Sequence, residues 1–234
     1  MKSSKLPPCT ECKNENKLFC GLNNADRAFL SVNKGSNSYK SGQHVFYEGN
    51  HPNGLYCIYK GKVKLSKLGA DGKEQIIRFA GEGEVIGYRA LLSDTPYNAT
   101  ATAIENCEIC HLSPGSFKEK LTEKSKLALN VIKALSDDLK QSEDNLVFIS
   151  QKSVKERVAQ ALLMLKTRFG VEKDGATLAV VLTRREIGEI VNITTETVIR
   201  TLSEMKKEKI LELDKHKIKI TNLDRLVKLA KVEV

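Results

Sequence analysis

At 234 residues the chain is long enough for one large domain or two modest ones, since domains usually hold about 100–200 residues. A 41% apolar share excludes wholesale disorder. No run of about 18 apolar residues is present to span a membrane, and the first twenty residues lack the apolar centre of a secretory leader, so a cytoplasmic protein without a membrane partner is expected. The net charge of +9 is uneven: residues 151–234 carry 18 Lys and Arg against 12 Asp and Glu. That suits a polyanionic partner, because neutralising phosphates releases counterions.

Residues 1–20 form an arm with Pro7-Pro8 and a Cys9-x-x-Cys12 pair, too poor in apolar side chains to fold alone. The six cysteines stand at 9, 12, 20, 57, 107 and 110. Without a secretion signal, disulfides are not expected, and clustered thiols point to metal, redox chemistry or core packing. A short amphipathic helix is predicted over Asn24–Val32. Residues 21–124 then read mainly as short strands, with cores at Tyr39, His44–Tyr47, Leu55–Tyr59, Val63–Leu65 and Gln75–Phe79. Turn signals such as Asp71-Gly72 separate them, and strands at this spacing make an antiparallel barrel or jelly roll.

The period changes at residue 125. Ala128, Ile132, Leu135, Leu139, Ser142, Leu146 and Ile149 follow at alternating steps of four and three, a heptad seam on a helix over residues 125–152. The stripe is narrower than a helix packed on its own domain usually shows, so self-association is the expectation. Packing against the preceding barrel is the alternative.

Residues 153–234 are mostly helical. A first helix ends at Gly170. Thr183-Arg184-Arg185-Glu186 then opens another with a capping box, Thr at the cap and Glu three residues on. Gly188 is small enough for a close helix crossing, and Asn192 tolerates the left-handed conformation of a tight turn. Thr194 and Thr195 are good caps for a helix running to about Glu208. Along it Val198, Leu202 and Met205 fall on one face, and Thr195, Glu196, Ile199, Arg200 and Ser203 on the other. Glutamate can accept from cytosine N4, arginine can hold guanine O6 and N7, and an apolar group can meet a thymine methyl. An alternating pair of runs, Ile210–Leu213 and Ile218–Ile220, follows as a small wing. Arg184, Arg185, Lys207 and Lys217 are candidates for backbone contacts. A helical hairpin with a merely solvated face is the bland alternative.

These motifs resemble those of the Crp–Fnr superfamily of bacterial transcription regulators, and the resemblance covers nearly the whole chain. It is carried by Leu182–Gly188, Thr195–Arg200, Tyr47-Glu48-Gly49, Gly54-Leu55-Tyr56, Gly61–Lys64 and Gly83–Gly87. It implies an α+β architecture: a cyclic-nucleotide-binding-like β-barrel or jelly-roll sensor over residues 21–124, a dimerisation helix over 125–152 and a winged helix-turn-helix over 153–234. It also implies a homodimer that binds double-stranded DNA and engages RNA polymerase, is not an enzyme, and reads bases through Glu196 and Arg200. Ile199 departs from the Ser or Gly that precedes this arginine in two branches of the superfamily. The ribose-binding Glu and phosphate-binding Arg-Ser of cyclic-AMP binders are missing, their places reading Gly87-Tyr88-Arg89 and Tyr97-Asn98-Ala99, so an effector other than ordinary cyclic AMP is expected.

The oxygen-sensing branch holds an iron–sulfur cluster on three arm cysteines and one distant one. By that resemblance Cys9, Cys12, Cys20 and Cys110 are candidate ligands, with Cys107 an alternative fourth, although the gap between the second and third cysteines is longer here. Zinc on the same ligands and inert thiols are the other readings. A jelly-roll metalloenzyme is the remote alternative of another class; His44, His51 and His111 lie scattered, without an H-x-H pair.

Overall fold

The computed structural model describes residues 6–14 and 17–231, so parts of the expected arm, residues 1–5 and 15–16, lie outside the described residues. The chain forms two compact units, residues 1–140 and 141–234. In the first, α1 (Asn24–Val32) starts where the sequence predicts, its cap Asn23 accepting from the Asp26 backbone N–H. Eight strands follow: β1 (Lys34–Tyr39), β2 (His44–Phe46), β3 (Leu55–Lys60), β4 (Val63–Leu68), β5 (Glu74–Ala80), β6 (Val85–Ile86), β7 (Thr100–Ala103) and β8 (Cys107–Leu112). They form two four-stranded sheets, β1-β8-β3-β6 and β2-β7-β4-β5, with antiparallel pairing throughout. The architecture is therefore of the jelly-roll kind rather than a closed barrel.

Strand alternation decides which side chains meet. Tyr56 and Ile58 of β3, Ile109 of β8, Phe46 of β2 and Ala101 of β7 share one core, which joins the two sheets. The odd residues Leu55 and Cys57, and Leu112 of β8, turn to the other face of their sheet. There they meet α1, α2 (Tyr88–Ser93), α3 (Pro114–Glu123) and the start of α4 (Ser125–Gln151). Gly54 has to be glycine: its φ is +153°, and a Cβ there would stand 2.2 Å from the Leu112 carbonyl oxygen.

Two faces of α4 differ sharply. Leu127 and Val131 are buried against the sheet, whereas Ile132, Leu139 and Leu146 are 59%, 62% and 71% exposed. Two turns beyond Val131, the Asp138 carboxylate accepts from the Tyr88 hydroxyl at 2.8 Å and pairs with Arg78 at 3.1 Å.

The second unit holds α5 (Val154–Phe169), α6 (Arg184–Val191), α7 (Thr195–Lys207), β9 (Leu211–Asp214), β10 (Lys217–Ile220) and α8 (Leu223–Ala230). A capping box at Ser153 and Glu156 opens α5, and Gly170 with φ +75° closes it. Helix α8, which no sequence signal singled out, packs on α5 and buries Leu226 and Ala230.

Candidate nucleic-acid interface

The predicted capping box at Thr183 is formed: the Thr183 side chain accepts from the Glu186 N–H, and the Glu186 carboxylate accepts from the Thr183 N–H at 2.9 Å. Asn192 ends α6 in the left-handed conformation, φ 53° and ψ 58°. Its neighbour Ile193 turns back so tightly that a Cβ on Gly188 would lie 2.6 Å from the Ile193 carbonyl oxygen. The small residue is thus what lets α6 and α7 meet. Arg157 of α5 donates to the Val191 carbonyl at 2.6 Å, satisfying one of the acceptors a helix end leaves open.

Thr194 caps α7, accepting from the Thr197 N–H. Val198, Leu202 and Met205 are wholly buried, each contributing about 1.5–3 kcal/mol of burial that fixes the helix's rotation. Glu196, Ile199, Arg200 and Ser203 are exposed on the opposite side, and Thr195 is half-buried. Hydrogen bonds from its own backbone N–H and from the Thr194 hydroxyl hold the Glu196 carboxyl below the ordinary glutamate range, so it stays an acceptor. The Ser203 hydroxyl donates to the Ile199 carbonyl at 2.8 Å and keeps its lone pairs outward.

Strands β9 and β10 pair as the expected wing, turning at Lys215 and His216. Arg184 and Lys217 are more occupied than the sequence suggests. Arg184 is half-buried; one terminal nitrogen donates to the Lys215 carbonyl at 3.0 Å, and the other is buried without a partner among the described residues. Arg184 therefore latches the wing turn. Lys217 is paired with Glu172 at 2.8 Å. Arg185, largely exposed, bonds Glu189 one turn on at 2.8 Å. Lys206, Lys207, Lys209 and Lys215 are exposed on or beside the wing. The arrangement is a polar, hydroxyl-bearing and cationic helix face beside a cationic hairpin. Glu172 and Arg157 escaped sequence reasoning, because each acts on an element far along the chain.

The stretch 36–124 matches the cyclic nucleotide-binding domain, and 156–229 matches the Crp-like helix-turn-helix domain. The chain is 30% identical, over 82% of its own length and 77% of the relative's, to the fumarate and nitrate reduction regulatory protein of Vibrio cholerae. The chain belongs to the Crp–Fnr family of transcription regulators. It is also 26% identical to the CRP-like cAMP-activated global transcriptional regulator of Mycobacterium tuberculosis, over 92% of this chain and 96% of that one. The FixK2 structure from Bradyrhizobium japonicum superimposes with a TM-score of 0.76 at 27% identity, covering 86% of this chain and 99% of that one. A Crp–Fnr protein is a DNA-binding regulator and not an enzyme, as the resemblance implies. No described helix is long and apolar enough to cross a membrane.

Iron–sulfur chemistry within the Crp–Fnr family asks for four converging sulfurs. Here Cys20 is exposed, and its carbonyl is held by Asn130 of α4 at 2.8 Å. Cys107 points into the core between the sheets, on the opposite face from Cys110. Among the described residues no three His, Cys, Asp or Glu side chains stand together at metal-ligating separation. The set Cys9, Cys12, Cys20 and Cys110 therefore does not converge as placed.

Proposed function

We propose that this Crp–Fnr protein acts in the cytoplasm as a homodimer that reads an inverted-repeat operator with α7, engages RNA polymerase, and answers to an effector other than ordinary cyclic AMP. The observation that carries the reading is the divided α7. Its inner face is wholly spent on packing, and the exposed Glu196, Ile199, Arg200 and Ser203 make only local bonds on the helix and its cap. Dimerisation is supported by the exposed Ile132, Leu139 and Leu146 stripe on α4. The effector reading is supported by Tyr88 and Tyr97. Tyr88 follows Gly87 where a ribose carboxylate belongs, and it is buried with its hydroxyl on Asp138. Tyr97 stacks on Phe46 at 4.0 Å and donates to the Gly54 carbonyl at 2.9 Å. Two buried phenols are poor substitutes for a carboxylate and a guanidinium.

The domain reading, with an arm at 1–20, a sensor at 21–124, a dimer helix at 125–152 and a reader at 153–234, belongs to the same proposal. The test is selection from random duplexes followed by binding assays on wild type and Arg200→Ala. The variant should melt like wild type, yet lose about 1–3 kcal/mol at a single G·C pair of each half-site. Half-sites should lie about one helical turn apart, near 34 Å. If Arg200→Ala keeps the wild-type preference at every position, α7 is not the reader.

A further inference from the structure

Two rows of side chains run side by side along the first half of α4. Leu127, Val131 and Ala134 pack on the core shared with α1, α2 and α3, and Asp138 continues their row. One residue on at each step lie Ala128, Ile132, Leu135 and Leu139, the first half of the heptad seam. The row that faces the sensor thus ends in a carboxylate where its period asks for an apolar side chain. What meets that carboxylate comes from the inside of the sandwich. Arg78 of β5 is the register partner of Leu65 of β4, which packs on the core between the two sheets. Its guanidinium reaches the two Asp138 oxygens at 3.1 and 3.2 Å. The Tyr88 hydroxyl donates to the same carboxylate at 2.8 Å, and Arg89 stands 3.8 Å away.

Both partners are largely withdrawn from water, with Arg78 at 17% and Asp138 at 11% side-chain exposure, so salt screens the pair little. Burial, with the Asp138 carboxylate beside it, pushes the Tyr88 phenol up to about 12, which keeps it a donor. In a parallel pair of helices a residue at position g stands against the residue five on in the partner, at position e. With Ile132, Leu139 and Leu146 at position a, the g residues are Val131, Asp138 and Asn145. The e residues five on are Ser136, Glu143 and Ser150. Asp138 against Glu143 is therefore the one charged match along the seam, made twice in a symmetric dimer, and both members are acids. Unheld, these carboxylates repel one another across the seam. Held by Arg78, Asp138 is turned to the sensor and neutralised.

We propose, resting on the homodimer reading, that Arg78 licenses self-association. It takes from the seam the charge that would oppose Glu143 of the partner subunit, and it fixes α4 with Leu135 and Leu139 outward. Arg78 is a positioning residue, since it acts on the seam through Asp138. Dimer strength is thereby set from the interior of the sensor. Glu84 stands 3.8 Å from the other terminal nitrogen of Arg78, so the guanidinium has a second carboxylate to turn to. A shift of β5 that favours Glu84 returns one uncompensated charge to the seam of each copy.

The experiment measures the dimer dissociation constant of the full-length protein and its variants by sedimentation equilibrium. Arg78→Gln should weaken the dimer about tenfold at low salt, because it leaves a half-hidden charge unpaired. Part of that loss is repulsion across the seam and should shrink near 1 M salt, where the screening length falls to about 3 Å. In an Asp138→Asn background, Arg78→Gln should change the constant by no more than about twofold, the mark of two residues acting as one pair. Adding Glu143→Lys to Arg78→Gln should recover most of the loss, while Glu143→Lys alone should shift wild type by less than about threefold. Tyr88→Phe keeps the ring, removes only the phenolic donor, and should weaken the dimer about threefold, again only with Asp138 present. It decides the matter if Arg78→Gln does not fold. Losses that survive Asp138→Asn, or variants as tightly dimeric as wild type, overturn the proposal. Wild type that stays monomeric at every concentration removes the homodimer reading and this coupling with it. A stable dimer indifferent to Arg78→Gln and Tyr88→Phe removes the coupling alone.

Discussion

Helices α4 and α7 treat their two faces in opposite ways. Helix α7 spends every apolar side chain but Ile199 inward and shows water Glu196, Arg200 and Ser203. Helix α4 buries Leu127 and Val131 yet leaves Ile132, Leu139 and Leu146 in water. A surface meant for a polyanion costs nothing while it waits, because charged groups are well solvated. A surface meant for a second copy of the chain carries an apolar area that is unfavourable until covered, at about 25 cal/mol per Å². The two faces thus advertise two kinds of partner, and they should fail in different ways when disturbed.

The largest effect should come from charging the apolar stripe. Leu139→Asp with Leu146→Asp places uncompensated carboxylates in the seam, at about 3–5 kcal/mol each. Light scattering should report half the wild-type mass, and operator affinity should collapse. A dimer of unchanged mass would remove the contrast between the helices. Next in size is Gly188→Ala, which forces the Ile193 carbonyl away and should cost about 1–3 kcal/mol by thermal unfolding. Specific DNA affinity should fall with it, since α7 loses its angle. The smallest effect sharpens the reading of the polar face. Lys207→Ala should reduce the salt slope of DNA binding by about one unit across all sequences. Lys217→Ala should change it less, because that ammonium is already paired with Glu172. Equal slopes for the two variants would mean that the Lys217–Glu172 pair opens on DNA.

What was legible in the sequence was local. The helix over Asn24–Val32, the Thr183–Glu186 capping box, Asn192 and the end of α7 near Glu208 all depend on residues within one turn of each other. The strand cores around Leu55 and Val63 were legible for the same reason. Strand order was not. Sheet neighbours β1, β8 and β3 are distant in sequence, so the pairing of Cys57 with Cys110 could not be read from composition or spacing. The short helices α2 and α3 lie where strand signals dominate, and α8 is held by α5 rather than by any strong local pattern. Among the interface residues, the outward set on α7 followed from periodicity alone. The employment of Arg184 on the wing turn and of Lys217 on Glu172 did not, because both partners lie about thirty or more residues away.

The division of α7 also bears on how such a protein can change over generations. Val198, Leu202 and Met205 hold the helix in place, and substitutions there endanger the fold. Glu196, Ile199 and Arg200 lie on the exposed face, and surface substitutions of that kind usually alter stability by no more than about 0.5 kcal/mol. Positions that would set sequence preference are therefore free to vary while the scaffold stays intact. A duplicated copy could drift to a new sequence preference through three or four residues, each step passing through a folded intermediate.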